Sequence, residues 1–182
     1  MSLPIVLTMY FSGGLIPFFL TVRSLKLDNT LWALIIPTAI STFNMIIMRT
    51  AFASVPDSLE ESAKLDGAGH IRILVKIMVP LVFPTIAVLI LYYSVGHWNS
   101  WFNAMVFLRD RSKYPLQLIL REILIQNSME NMTMGVEMDD KEMISETIKY
   151  AVIIVSTLPI LCLYPFIQKY FVKGVMIGAV KG

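Results

Sequence analysis

The sequence predicts an all-α protein, a polytopic bundle of helices crossing a membrane. Three observations carry this. Of 182 residues, 56% are hydrophobic and 15% charged, where an average soluble domain is roughly a quarter charged. Mean hydropathy is +0.68. Four long stretches, 1–22, 29–48, 77–108 and 150–168, contain no Asp, Glu, Lys or Arg. A helix needs about 20 mainly apolar residues to cross the hydrocarbon layer, and each stretch has room for one crossing. Helices of a soluble bundle would carry charge along one face.

Each element follows from these runs. The predicted spans cover about 3–22, 30–50, 84–108 and 148–170. Pro17, Pro37 and Pro159 lie inside three of them, and proline is commoner in membrane helices than in soluble ones. The third uncharged run is longer than one crossing needs. Pro80 and Pro84 are expected to confine its first turns to the interface, starting the span near Pro84. Four crossings put both ends of the chain on one side. Basic residues divide almost evenly between the two sides. Long loops translocate largely regardless of charge, so the 109–147 loop is discounted and read as extracytoplasmic. The 54–80 loop and the C-terminus are then cytoplasmic. Met1 is followed directly by apolar residues, with no basic region of a secretory signal. The chain reads as beginning inside a hydrophobic segment.

Several function classes are excluded. A net charge of +2 is too small for nucleic-acid binding. The lone cysteine, Cys162, rules out an internal disulfide, and His70 and His97 are far apart with no metal-ligand spacing. No phosphate-binding G-x-x-x-x-G-K-[ST] loop is present, and no paired carboxylates lie within the spans. No cofactor is expected, and the chain reads as a non-enzyme.

The 54–80 loop holds the most specific pattern. Asp57 followed by Glu60 has capping-box spacing, with Asp57 as N-cap. Gly67 is the natural stop of a short helix over about 58–66. A second short helix, 70–79, would run on to Pro80. Glu61-Ser62-Ala63, three residues, Gly67, nine residues, Ile77, one residue and Val79-Pro80 resemble the E-A-A signature of ABC importer permeases. Ser62 stands for the usual alanine and Val79 for the usual leucine. The resemblance implies that this loop is a coupling helix docking into a cytoplasmic ATPase, with Glu61, Ser62, Ala63, Asp66 and Gly67 at the contact. Small Ser62 and Ala63 would allow another surface to approach closely.

The resemblance covers essentially the whole chain. Phe11-Ser-Gly-Gly-Leu-Ile-Pro17, Gly96-His-Trp-Asn-Ser-Trp-Phe102, Tyr114-Pro-Leu-Gln-Leu118 and the tail from Tyr164 look like the maltose-type, oligosaccharide branch. It implies the C-terminal four spans of a usual six, and a multi-pass subunit of the bacterial cell membrane. The implied partners are a second, different permease, two ATPase subunits, an extracytoplasmic sugar-binding protein, the lipid bilayer and a carbohydrate. A channel or secondary carrier not driven by ATP is the alternative.

The third span is polar for its depth. At 100° per residue Tyr92, Gly96, Asn99 and Asn103 share one face, with Tyr93, His97, Ser100 and Trp101 on the next. Polar groups inside a span face the bundle or a water-filled path. Aromatic faces and amides suit sugar C–H surfaces and hydroxyls. Tyr92, Tyr93, His97, Asn99, Trp101 and Asn103 are therefore substrate-path candidates, with Asn44 from the second span. His97 is read as a hydrogen-bonding group. Leu116, Ile119, Leu120, Ile123 and Leu124 predict an amphipathic helix over 115–127. Met129, Met132, Met134, Met138 and Met143 read as a loosely packed loop. The resemblance implies that the tail, with Gly174, Gly178, Ala179 and Gly182, can reach between two ATPases.

Overall fold

The computed structural model describes the backbone of residues 3–133 and 139–179, and the side chains of 4–128, 146–165 and Gln168. Every described element is helical: α1 Leu3–Leu7, α2 Leu15–Ser24, α3 Trp32–Ile35, α4 Thr42–Ala53, α5 Asp57–Leu65, α6 His70–Ile73, α7 Val79–Trp98, α8 Trp101–Phe107, α9 Leu116–Thr133 and α10 Asp139–Ala179. Two compact units arise. The first holds residues 1–12, 39–93 and 166–182; the second holds 13–38 and 94–165.

Two runs are long and apolar enough to cross a membrane, His70–Trp98 and Glu146–Pro165. Trp32–Thr38 and Thr42–Ala53 make a third if the pair, bent by 50°, counts as one span. The expected 3–22 helix is instead two short ones. Gly13 and Gly14 lie in the break, and Gly14 takes φ +80, which an L side chain resists. Pro17 then falls in the first turn of α2, where its missing N–H costs nothing.

The helix through the third apolar run differs from expectation at both ends. It does not begin at Pro84. Helix runs unbroken from His70 through a π-turn, Leu74–Met78, where the Val79 N–H reaches back to the Leu74 carbonyl. Pro84 sits inside α7. The C-terminal end is broken at Asn99–Ser100, where Ser100 takes φ −79, ψ 30 before α8 begins.

The second unit has an aromatic core. Phe107 is 2% exposed and is joined by Val22, Ala33, Leu34, Ala104, Leu108 and Leu118. Phe18 meets its ring edge-on at 5.4 Å between centroids, and Phe19 stacks on it at 5.9 Å. Leu118 and Leu120 are buried in α9, whereas Leu116 and Ile123 are exposed. Of the stripe expected there, Leu120 is buried and Ile119 and Leu124 half-buried, while Leu118 joins the core from beside it. The Trp98 indole N–H donates to the Ser156 carbonyl of α10 at 3.0 Å. Most apolar side chains of α10 between Tyr150 and Tyr164 remain exposed, as lipid-facing residues do.

A turn and a loop far apart in sequence are locked together. Asn29 takes φ +55, a conformation that Asn tolerates better than most residues. Its side-chain oxygen accepts from the backbone N–H of both Arg109 and Asp110, each at 3.1 Å. Its own N–H donates to the Phe107 carbonyl at 2.8 Å, and its carbonyl accepts from Lys113 Nζ at 2.9 Å. Asn29→Ala strands two N–H donors and should cost about 1–2 kcal/mol. Asn29→Asp keeps both acceptors and should cost far less. Thermal midpoints of the solubilised protein test this; equal midpoints for the two variants would refute it.

Candidate functional site

The 54–80 segment is built around two helix ends. Asp57 is the first residue of α5 and not its cap: Pro56 holds that position, with no side-chain cap bond. Pro56 supplies the extended backbone (φ −61, ψ 132) that starts the helix. Asp57 and Glu60 then lie in the first turn, where negative charge favours the helix dipole. At the other end the Gly67 N–H bonds the Lys64 carbonyl and the Ala68 N–H bonds the Ala63 carbonyl, both at 3.0 Å. This pair of bonds is a Schellman stop. Gly67 takes φ +74, and a Cβ built there meets nothing within 4 Å.

The five candidate coupling residues separate by face. Glu61, Ser62, Asp66 and Gly67 are exposed. The Ser62 hydroxyl is turned back onto the Ser58 carbonyl at 2.8 Å. Ala63 is buried, so its small side chain serves packing within this chain and not the approach of another surface. Leu65 is 90% exposed and Ile71 80% exposed, and neither was singled out by the spacing. Lys64 pairs with Glu60 at 2.7 Å. The hydrogen bond from Lys64 holds the Glu60 carboxyl below its ordinary value. A lowered carboxylate pKa favours the folded pair above the ordinary value, and the benefit goes as pH falls through the lowered one. At neutral pH the pair is intact.

The substrate-path candidates do not form one stripe. The single-face register for Tyr92, Gly96, Asn99 and Asn103 requires an unbroken helix to 103, and the chain turns at Asn99–Ser100. The Asn99 amide bonds back to the Val95 carbonyl at 3.1 Å. The carbonyl of half-buried His97 accepts from Ser100 Oγ at 2.7 Å. Trp101 has one ring face covered by the Arg121 guanidinium, 3.8 Å from the centroid, and Phe102 meets it edge-on. Asn103 is half-buried. These four belong to the second unit.

Two candidates come together in the first unit. Asn44 and Tyr93 line an open cleft of about 480 Å³ along α4. Asn44 is 8% exposed. Tyr93 Oη accepts from the Ser41 N–H at 3.1 Å, and Ser41 Oγ caps α4 by accepting from the Asn44 N–H at 3.4 Å. Tyr92 is exposed and is absent from this lining. Sequence reasoning missed Ser41 and Arg49, which also line the cleft. The helix-cap signal of a serine three residues before Asn44 could have found the first. Arg49 falls at the end of the expected 30–50 span, and α4 continues past it to Ala53.

A helical membrane bundle with a short surface helix, stopped at a glycine and leading into the longest apolar span, is the architecture of transport permeases. Residues 1–177 match the family described as binding-protein-dependent transport system inner membrane component, and the chain belongs to that family. It is 49% identical to the polygalacturonan/rhamnogalacturonan transport system permease protein YtcP of Bacillus subtilis (strain 168), over 98% of this chain and 62% of that protein. It is 47% identical to Protein LplC of the same organism, over 98% of this chain and 60% of the relative. Maltodextrin transport system permease protein MalD of Streptococcus pneumoniae is 34% identical over 76% of the chain and 45% of its own length. The chain thus spans about three fifths of the first two relatives. Among solved structures it is similar to a chain of a bacterial ABC transporter involved in the import of the acidic polysaccharide alginate. That likeness has a TM-score of 0.78 and 36% identity, covering 93% of this chain and 60% of the other.

Proposed function

We propose that this chain is a pathway-forming permease subunit of an ATP-binding-cassette importer for an oligosaccharide, with an acidic sugar as its preferred cargo. The observation that carries the reading is α5: an exposed acidic helix, ended by a positive-φ glycine, joined through α6 and a π-turn to the span that follows. A helix so placed can pass movement of a docked ATPase to the membrane segment. Glu61, Ser62, Asp66 and Gly67 form the docking side, and the 54–80 loop faces the cytoplasm. One relative named for polygalacturonan and rhamnogalacturonan, and a structural neighbour named for alginate, support an acidic cargo.

The partners in this reading are a second, different permease, two ATPase subunits and an extracytoplasmic sugar-binding protein. The chain itself catalyses no reaction; ATP is hydrolysed by the partner. The cycle is alternating access, with the binding protein delivering sugar outside and ATP-driven closure of the ATPases opening the path inward. Asn44 and Tyr93, which share the α4 cleft, are proposed to line that path.

The test is gentle extraction of a C-terminally tagged chain from native membranes. A second permease and an ATPase should co-purify, and uptake should collapse on ATP depletion with the proton gradient kept. Uptake that follows the proton gradient, with the chain recovered alone, would overturn the reading in favour of a secondary carrier.

A further inference from the structure

We infer that the α4 cleft is a subsite for an acidic sugar residue, in which Arg49 contacts the carboxylate while Asn44 and Tyr93 bond the ring hydroxyls. The inference rests on the importer reading above and adds to it the position and chemistry of one contact.

The cleft's polar groups are few and unspent. Asn44 is nearly buried, yet its side-chain amide makes no hydrogen bond among the described residues. No buried side-chain nitrogen or oxygen lacks a partner there, so the Asn44 amide atoms keep access to the cleft. Tyr93 Oη accepts from the Ser41 N–H, which leaves its own proton free to donate. Arg49 lies five residues beyond Asn44 on the same cleft and makes no ion pair among the described residues. The rest of the lining is mainly apolar, including Met45, Met48, Phe52 and Leu89. About 480 Å³ is within the range of small-ligand sites.

These facts point to one ligand chemistry. A guanidinium stays charged and binds carboxylates or phosphates through two parallel N–H donors. Arg49 is exposed near the C-terminal end of α4 and has no ion-pair partner among the described residues, so its guanidinium is open to an incoming anion. A lipid phosphate could supply one. It would leave the Asn44 amide and the Tyr93 hydroxyl idle, whereas a uronate residue uses all three: carboxylate on Arg49, hydroxyls on Asn44 and Tyr93, and C–H faces on the apolar lining.

The experiment uses the complete importer in proteoliposomes, reactive cysteines of the other subunits replaced. Cys162, free and exposed, is changed to Ser, and Arg49→Cys is added. The probe is labelled trigalacturonate delivered by the binding protein. Loss of one charge-assisted contact should slow uptake roughly tenfold or more, with subunits still assembled. Modifying the new thiol with a trimethylammonium methanethiosulfonate should restore uptake, and a neutral hydroxyethyl reagent should not. Trigalacturonate should slow the modification itself. Arg49→Lys should fall between Cys and wild type.

Equal rescue by the neutral reagent, or no protection by trigalacturonate, overturns the Arg49 assignment. Rescue that follows the anionic-lipid content of the vesicle, without sugar protection, assigns Arg49 to lipid phosphate and likewise overturns it. If the Cys162→Ser importer moves a neutral oligosaccharide but not trigalacturonate, the acidic-cargo reading fails instead.

Discussion

Gly67→Asp should leave the protein in the membrane and strip the ATPase from it. The reason lies in two separable properties of the position. The backbone sits at φ +74, where a non-glycine residue is strained by roughly 1–2 kcal/mol. A Cβ there meets nothing of the described chain within 4 Å, so the first atom of a side chain finds open space. Aspartate adds a charge beside Asp66 and Glu61, already exposed on the same segment. An unmatched charge at a contact costs several kcal/mol, and 2–5 kcal/mol corresponds to roughly 30- to several-thousand-fold weaker docking. Gly67→Ala carries the strain without the charge and should be milder. Gly67→Asn, tolerant of positive φ, should be milder still. Glu61→Lys should also abolish docking, through charge reversal alone. The measurement is recovery of the ATPase with the tagged permease. Unchanged recovery in Gly67→Asp and Glu61→Lys together would remove the docking role from this loop.

Phe107→Ala should give the largest loss of stability of any single truncation in the second unit. The ring is 2% exposed and is gripped by Phe18 and Phe19. Emptying a packed aromatic site costs roughly 3–5 kcal/mol, because neighbours relax only partly into the space. Phe107→Leu keeps most of the volume and should cost roughly half as much or less. Thermal unfolding of the solubilised protein ranks the two. The unit should lose its fold before α5 does, since α5 belongs to the other unit. A Phe107→Ala midpoint equal to wild type would show that this ring is not the centre of the core.

How far these features could be read from residues varies with the range of the interaction. The Gly67 stop was legible because a Schellman end depends on six neighbouring residues. Asp57 was misplaced by one position: Pro56, with its fixed φ, is an equally local signal that took the cap. The ends of the helix through the third apolar run were less legible. Hydropathy identifies an apolar run but is blind to a π-turn at 74–78 or to a break at Asn99, which depend on backbone hydrogen bonding. The break interrupts the helical register on which faces past Asn99 were assigned. The α9 helix and the burial of Leu120 were legible, but helical spacing finds a face without naming its partner, and Leu118 was not expected in the core with Phe107 and Ala104. Of the path candidates, Asn44 and Tyr93 met on one cleft, while Trp101 was found under Arg121. Arg49, at the end of the expected 30–50 span, carries no spacing signal that ties it to Asn44 five residues earlier.

The Asn29 clamp sets a delay on assembly. Its bonds reach Arg109, Asp110 and Lys113 across sequence separations of 80, 81 and 84 residues. A ribosome adding about 5–20 residues per second needs roughly 4–16 s to make that much chain. During that interval the 26–30 turn has been synthesised but its partners have not, and α4 and α7 must emerge in between. The turn therefore waits unlatched while later spans enter the bilayer, and it closes only after α8 and the 109–113 loop have arrived. A variant that weakens the clamp acts first on this late step of biogenesis, and should leave more of the newly made chain to membrane quality control before it alters any property of the finished subunit.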